Sequence, residues 1–167
     1  MRMIRFAAVA IAAAGVVGSA TAEAGFSCVW QEGEPECSSP AGIEDFPIRL
    51  RKTRALFEMD GCRVSKIMAW SEGSAPWAGA GYPDGMEVMV SYKCTDAQAR
   101  PKQQSNARYG FICASRMQTY YESGFDFGAD GKPMHWDSQG TSTPIPPAPL
   151  AKARNKLVEP LYKTWCE

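Results

Sequence analysis

The segment FDFGADGKPMHWD, residues 125–137, concentrates the reactive side chains of this chain. It holds the only histidine, His135, together with Asp126, Asp130 and Asp137 around the dipeptide Asp130-Gly131. A calcium loop starting at Asp126 would place Gly131 correctly at position 6. Position 3, however, is Gly128, which has no side-chain oxygen, and position 12 is Asp137 in place of a longer, bidentate glutamate. As a hairpin, Asp130-Gly131 forms a two-residue type I′ turn. Counting outward, Phe127 faces Met134, Asp126 faces His135 and Phe125 faces Trp136. Phe125, Phe127, Met134 and Trp136 then share one apolar face. Pro133 falls opposite Gly128 at a non-hydrogen-bonded position, so its missing N–H points away and residues 132–137 form an edge strand.

The hairpin accounts for more of these residues than the metal loop does. It leaves Asp126 and His135 side by side on the polar face, as a cross-strand ion pair worth about 0.2–1 kcal/mol. The same pair could orient the imidazole for acid–base work or for ligation. That role needs a nucleophile or second ligand nearby, and the sequence names none.

Two further sets of residues suit binding. RLRKTR, with Arg49, Arg51, Lys52 and Arg54, is the basic cluster of the chain. It would suit a sulfated glycan, an acidic lipid or an acidic protein, or it is simply a charged strand edge that discourages aggregation. Trp77 and Tyr82 sit in SEGSAPWAGAGYPDG, residues 71–85, either as exposed binding anchors or folded back as a lid on a sheet. The glycines there are not a phosphate loop, because no Lys-Ser/Thr follows. G-x-S-x-G and H-E-x-x-H are absent, so no catalytic motif or cofactor is indicated.

Six cysteines, Cys28, Cys37, Cys62, Cys94, Cys113 and Cys166, form an even set that predicts three disulfides in an exported chain. Cys28 and Cys37 are the natural local pair, with Gly33, Glu34 and Pro35 to turn the chain between them. With no C-x-x-C and a single histidine, zinc binding is disfavoured.

Export is indicated by the N-terminus. Arg2 and Arg5 precede an apolar run from Phe6 to Gly18, followed by small residues with A-x-A sites around residue 22. That run is too short to span a membrane, and the whole reads as a signal peptide over residues 1–22. The mature chain, 23–167, suits one domain. Arg2 and Arg5 would leave with the leader, so the 18 acidic residues would outnumber the remaining basic ones by two. Such a balance speaks against a nucleic-acid partner. No later segment is long and apolar enough to span a membrane.

The remaining elements follow from periodicity. Residues 32–47 and 95–107 read as polar loops, the second mobile. Asp60-Gly61 between two strand-like runs predicts a second hairpin, with Glu58 facing Arg63. Residues 86–94 alternate, with Met86, Val88, Val90, Tyr92 and Cys94 on one face and Glu87, Ser91 and Lys93 on the other. Residues 108–122 read as one long strand. PIPPAP (144–149) is a stiff spacer. The run from Ala148 has a helical stripe of Leu150, Leu157, Val158, Leu161 and Trp165. Pro160 either kinks it or lies in the first turn of a second short helix. The expected fold is α+β: an antiparallel sheet of about five to six strands with a C-terminal helix packed on one face, stabilised by disulfides.

From Met86 onward the order of features resembles the surface-adhesin E-like family of small exported bacterial proteins. The residues that carry it are VMVSYKC (88–94), TYYESGFDFGADGK (119–132), PIPPAP, and a final helix closing in Trp165-Cys166. The resemblance covers about half the chain. It implies a sheet-plus-helix fold, adhesion to host or matrix proteins, and a Cys94–Cys166 disulfide. Four additional cysteines depart from that pattern, and no binding residue carries over.

The sequence therefore reads as an exported binding module, periplasmic or secreted, without a cofactor. It would contact a protein or glycan partner through the 71–85 loop and Arg49–Arg54. The alternatives are an inhibitor of a secreted protease or cell-wall lytic enzyme, using 32–47 or 95–107, and a small hydrolase using Asp126, Asp137 or His135.

Overall fold

The computed structural model describes residues 25–38, 44–59, 61–71, 85–138 and 147–167. The expected signal peptide (1–22), Asp60, the segment carrying Trp77 and Tyr82, and the first half of PIPPAP lie outside the described residues. The described residues form an antiparallel eight-stranded sheet with helices on one face, an α+β fold. The strands are β1 (Ser27–Trp30), β2 (Glu36–Ser38), β3 (Cys62–Ser71), β4 (Gly85–Thr95), β5 (Pro101–Ile112), β6 (Met117–Phe127), β7 (Pro133–Asp137) and β8 (Ala148–Pro149). Their order is β2-β1-β3-β4-β5-β6-β7, and β8 adds a short pairing to β6. The sheet thus has more strands than the five or six expected.

The segment 46–57 is the largest departure from expectation. It is a helix, α1 (Phe46–Phe57), where a strand was predicted. Pro47 sits at the helix start, where its missing N–H costs nothing. Phe46, Leu50, Thr53 and Phe57 are buried, a spacing of four, three and four that is helical. The Glu58–Arg63 facing pair is therefore not formed. Glu58 instead pairs with Arg54 one helical turn back, at 2.9 Å.

Residues 95–107 are mostly strand as well. The loop is confined to the turn after Thr95, where Asp96 accepts from the Gln98 and Arg100 amides. From Pro101 the chain pairs with β4 on one side and β6 on the other. Two neighbours impose the extended state on a sequence of weak strand propensity. Residues 108–122 are split by a turn at Cys113–Arg116 into the ends of β5 and β6.

The core lies between the sheet and the helices α1 and α2 (Val158–Cys166). Val64, Ile67 and Ala69 of β3, Val88 and Val90 of β4, and Tyr109 and Phe111 of β5 are buried against Phe46, Phe57, Val158, Leu161 and Trp165. Leu150 opens a single 3-10 turn, and α2 follows separately with Pro160 in its first turn. Trp165 Nε1 donates to Thr53 Oγ1 at 3.0 Å, joining the two helices inside the core.

Three disulfides are present: Cys28–Cys37, Cys62–Cys94 and Cys113–Cys166. The first is the expected local pair. The Cys94–Cys166 bond implied by the family resemblance is not formed, because Cys94 faces Cys62 across β3 and β4 while Cys166 ends α2 beside the β5–β6 turn. Three such bonds fit an oxidising compartment, periplasmic or extracellular. No helix among the described residues is long and apolar enough to cross a membrane.

Candidate functional site

The segment 125–137 is a hairpin, shifted by one residue from the expected register. Phe127 pairs with Pro133, Asp126 with Met134, Phe125 with His135 and Gly124 with Trp136. The loop has three residues, closed by bonds from Gly128 N–H to Lys132 O and Gly131 N–H to Gly128 O. Gly131 takes φ +74°, the left-handed position of a three-residue hairpin loop. A shift of one residue moves side chains to the other face. Asp126 and His135 therefore do not meet. Asp126 accepts from Trp136 Nε1 at 3.1 Å, and His135 packs edge-on against Phe125 with ring centroids 5.4 Å apart. The expected apolar face is not formed either, and Phe125 and Met134 are exposed. Pro133 keeps its predicted role. The bonded Gly128–Lys132 and Glu122–Ser138 ends fix the alternation, so Pro133 occupies a non-hydrogen-bonded position on the edge strand.

The RLRKTR cluster is divided by its helix. Arg49 pairs with Asp45 at 2.7 Å and donates to the Trp165 carbonyl at 2.5 Å. Arg54 pairs with Glu58 and lies over the Trp30 ring at 4.8 Å. Arg51 and Lys52 remain exposed on the outside of α1. The four residues do not form one surface, and they lie on the helix side of the sheet.

The other side of the sheet carries the surface that the sequence did not reveal. Strand alternation places Arg63, Lys66, Met68 and Trp70 of β3 on it, with a bulge at Ser65 restoring the phase. Glu87, Met89, Ser91 and Lys93 of β4 and Gln104, Asn106, Arg108 and Gly110 of β5 follow. Tyr121, Ser123 and Phe125 of β6 and His135 of β7 complete it. No described helix or strand covers this face. Arg63 and Lys93 are a directly opposed pair, and Lys93 in turn faces Gln104. Ser91 Oγ donates to Asn106 Oδ1 at 2.6 Å.

Where this face meets the sheet end, Asp96, Arg100, Pro101, Lys102, Phe127, Gly128, Ala129 and Gly131 line a cleft of about 380 Å³ between the β4–β5 turn and the β6–β7 loop. At the opposite end Glu87 is fully enclosed, with the Arg108 guanidinium against its carboxylate and Trp70 5.7 Å from that guanidinium. Burial pushes the Glu87 carboxyl up from 4.5 to about 7, against the pull of Arg108.

A second polar cluster lies on the helix side. Tyr92 and Tyr120 both donate to the Glu122 carboxylate. Asn155 bonds Tyr109 and Tyr120, and Ser105 bonds Tyr92. Burial first, then the Glu122 carboxylate, raises the Tyr92 and Tyr120 hydroxyls well above their usual range, so both stay neutral donors. Each carboxylate oxygen of Glu122 has a phenol, and the phenols have partners of their own. The network is satisfied internally and reads as structure.

Among the described residues no group of three His, Cys, Asp or Glu side chains could hold a metal ion. Compared with known proteins, the chain matches no family model, no curated protein and no solved structure.

The open-face residues escaped the sequence reading for two reasons. Arg63, Lys66, Lys93 and Lys102 are isolated in sequence and converge only through strand pairing. Lys102, Gln104 and Asn106 also do alternate with Gln103, Ser105 and Ala107, but with polar residues on both sides the period carried little contrast.

Proposed function

We propose that this protein is an exported, disulfide-stabilised binding module that contacts a protein or glycan partner through the open face of its sheet. The observation that carries this reading is the opposed Arg63–Lys93 pair on a face that no described element covers. Like charges placed directly opposite each other destabilise a sheet. An anionic partner lying across them would offset that cost. Adhesion to a surface outside the cell is the form of binding that the sequence resemblance suggests. Trp77 and Tyr82, the other binding residues expected from the sequence, lie between Ser71 and Gly85, outside the described residues.

Capture of partners by the oxidised protein tests this reading. An Arg63→Gln/Lys93→Gln variant that folds should lose a partner that an Arg51→Gln/Lys52→Gln variant retains. Equal capture by both variants would remove the open face from the proposal.

A further inference from the structure

We propose that the partner of the open face is a linear acidic polysaccharide, whose carboxylate or sulfate groups lie between Arg63 and Lys93 and in the cleft beside Lys102. The inference rests on the binding-module reading and adds the class of ligand.

Charge is the first ground. Arg49, Arg54, Arg100, Arg108, Arg116, Lys132 and Lys163 each have a carboxylate partner. Among the described residues, no carboxylate pairs with Arg63, Lys66, Lys93 or Lys102. The acids of this face stand at its margins: Glu36 on β2 and Asp137 on β7 at the rims, and Glu87 shut in against Arg108, while Asp96 in the cleft wall is held by Arg100. The end of the face that holds those four basic residues is thus cationic although the chain as a whole is balanced. Facing residues on adjacent strands have Cβ atoms about 5 Å apart, close enough for one anionic group to bridge two cations.

The second ground is what surrounds the cations. Ser91, Asn106, Gln104 and Ser123 lie among these cations, and Met68, Met89, Trp70 and Tyr121 lie beyond them towards Glu87. The Ser91 hydroxyl already occupies the Asn106 carbonyl oxygen, which leaves the Asn106 amide N–H groups to donate outward. The core of a protein–protein interface is depleted in charge and in lysine, the reverse of the end of the face that holds Arg63, Lys66, Lys93 and Lys102. Amides and hydroxyls interleaved with cations match a hydrated, polyhydroxylated anion. At the β6–β7 rim Phe125, 41 % exposed and braced by His135, offers a ring to the apolar face of a sugar. Phe127 offers another as part of the cleft wall beside Lys102. Cations along the β3–β5 strands and a cleft at their end suit a ligand longer than one sugar.

The experiment titrates the disulfide-intact protein with heparin, with polygalacturonate and with neutral dextran, followed by calorimetry at low and raised salt. Binding of either acidic polysaccharide, weakened by salt, with dextran inert, is expected. Arg63→Gln/Lys93→Gln and Lys102→Gln should each lower that affinity, the double variant by about tenfold or more from the loss of two charge-assisted contacts. Arg51→Gln/Lys52→Gln, on the helix side, should bind as the native protein does. Removing an opposed like-charge pair should leave the urea midpoint unchanged or raise it, which certifies that the variant folds. Undiminished binding by the open-face variants, or an equal loss in the helix-side variant, would overturn the proposal. So would tighter binding of polyglutamate or single-stranded DNA than of either polysaccharide. If neither polysaccharide binds while the open-face variants still lose a captured partner, the polysaccharide falls and the binding-module reading stands.

Discussion

Glu87 is wholly enclosed, while the Arg108 guanidinium against it keeps 44 % of its side chain in solvent. The ion pair is therefore lopsided: the carboxylate bears the cost of desolvation and its partner does not. Burial raises the Glu87 pKa from 4.5 to about 7. A carboxyl raised on folding favours the folded state when protonated. Its contribution is fully present below about 4.5 and is lost as pH rises towards 7. The native protein should then lose stability between about pH 4.5 and 7, by about 3 kcal/mol at most for this group. Glu87→Gln should flatten that slope. Thermal melts of both proteins across this range would check it, and parallel curves would refute the assignment.

Gly124 of β6 pairs with Ser105 of β5. A Cβ there would stand 2.9 Å from Ser105 Oγ and 3.0 Å from Ser105 Cα, and nearer still to the Gln104 carbonyl oxygen. Backbone cannot yield cheaply, so Gly124→Ala should destabilise by about 1–3 kcal/mol. Urea denaturation measures it. A loss below about 0.5 kcal/mol, within the range of a neutral surface change, would mean that the strands separate more easily than their pairing implies.

The one-residue shift of the β6–β7 hairpin has a chemical readout. Phe125 and His135 form a non-hydrogen-bonded pair, the closer of the two antiparallel spacings. Phe125→Cys/His135→Cys should oxidise to a disulfide, and Asp126→Cys/His135→Cys should not, because those side chains point to opposite faces. Mass spectrometry after alkylation distinguishes them. The reverse outcome would restore the two-residue turn.

Trp165 donates to a Thr53 hydroxyl that is fully buried. Trp165→Phe should cost about 1–3 kcal/mol, since it strands that hydroxyl. Adding Thr53→Val should recover part of the loss, because both halves of the bond are then gone. Additive losses in the double variant would show that ring volume, and not the hydrogen bond, sets the cost.

The elements that could be read from the sequence are those whose pattern is local and two-faced. Val88, Val90 and Tyr92 alternate with Ser91 and Lys93, and β4 is where that alternation puts it. Leu161 and Trp165 share a helical stripe, and α2 buries it. The α1 segment misled because IRLRKTRALF alternates in charge at its start. Its buried residues are too few to outweigh that, and Thr53 occupies a core position without an apolar side chain. The Asp130-Gly131 signal located the turn but not its length, and a loop of three residues instead of two reassigns every facing pair beyond it. The open face was beyond reach because Arg63 and Lys93 are thirty residues apart and meet only by register.

The pairing of the cysteines has a consequence for how the molecule comes into being. Cys28 joins Cys37, Cys62 joins Cys94, and Cys113 joins Cys166, so every bridge links two cysteines adjacent in the sequence. No bridge encloses or crosses another. A chain threaded N-terminus first into an oxidising space presents its thiols already in native couples. A donor that oxidises each pair as it emerges closes the right bond every time, and no wrong bond has to be exchanged by attack of a further thiolate. The last bridge waits until α2 has followed the β5–β6 turn, because Cys166 closes that helix and Cys113 opens that turn.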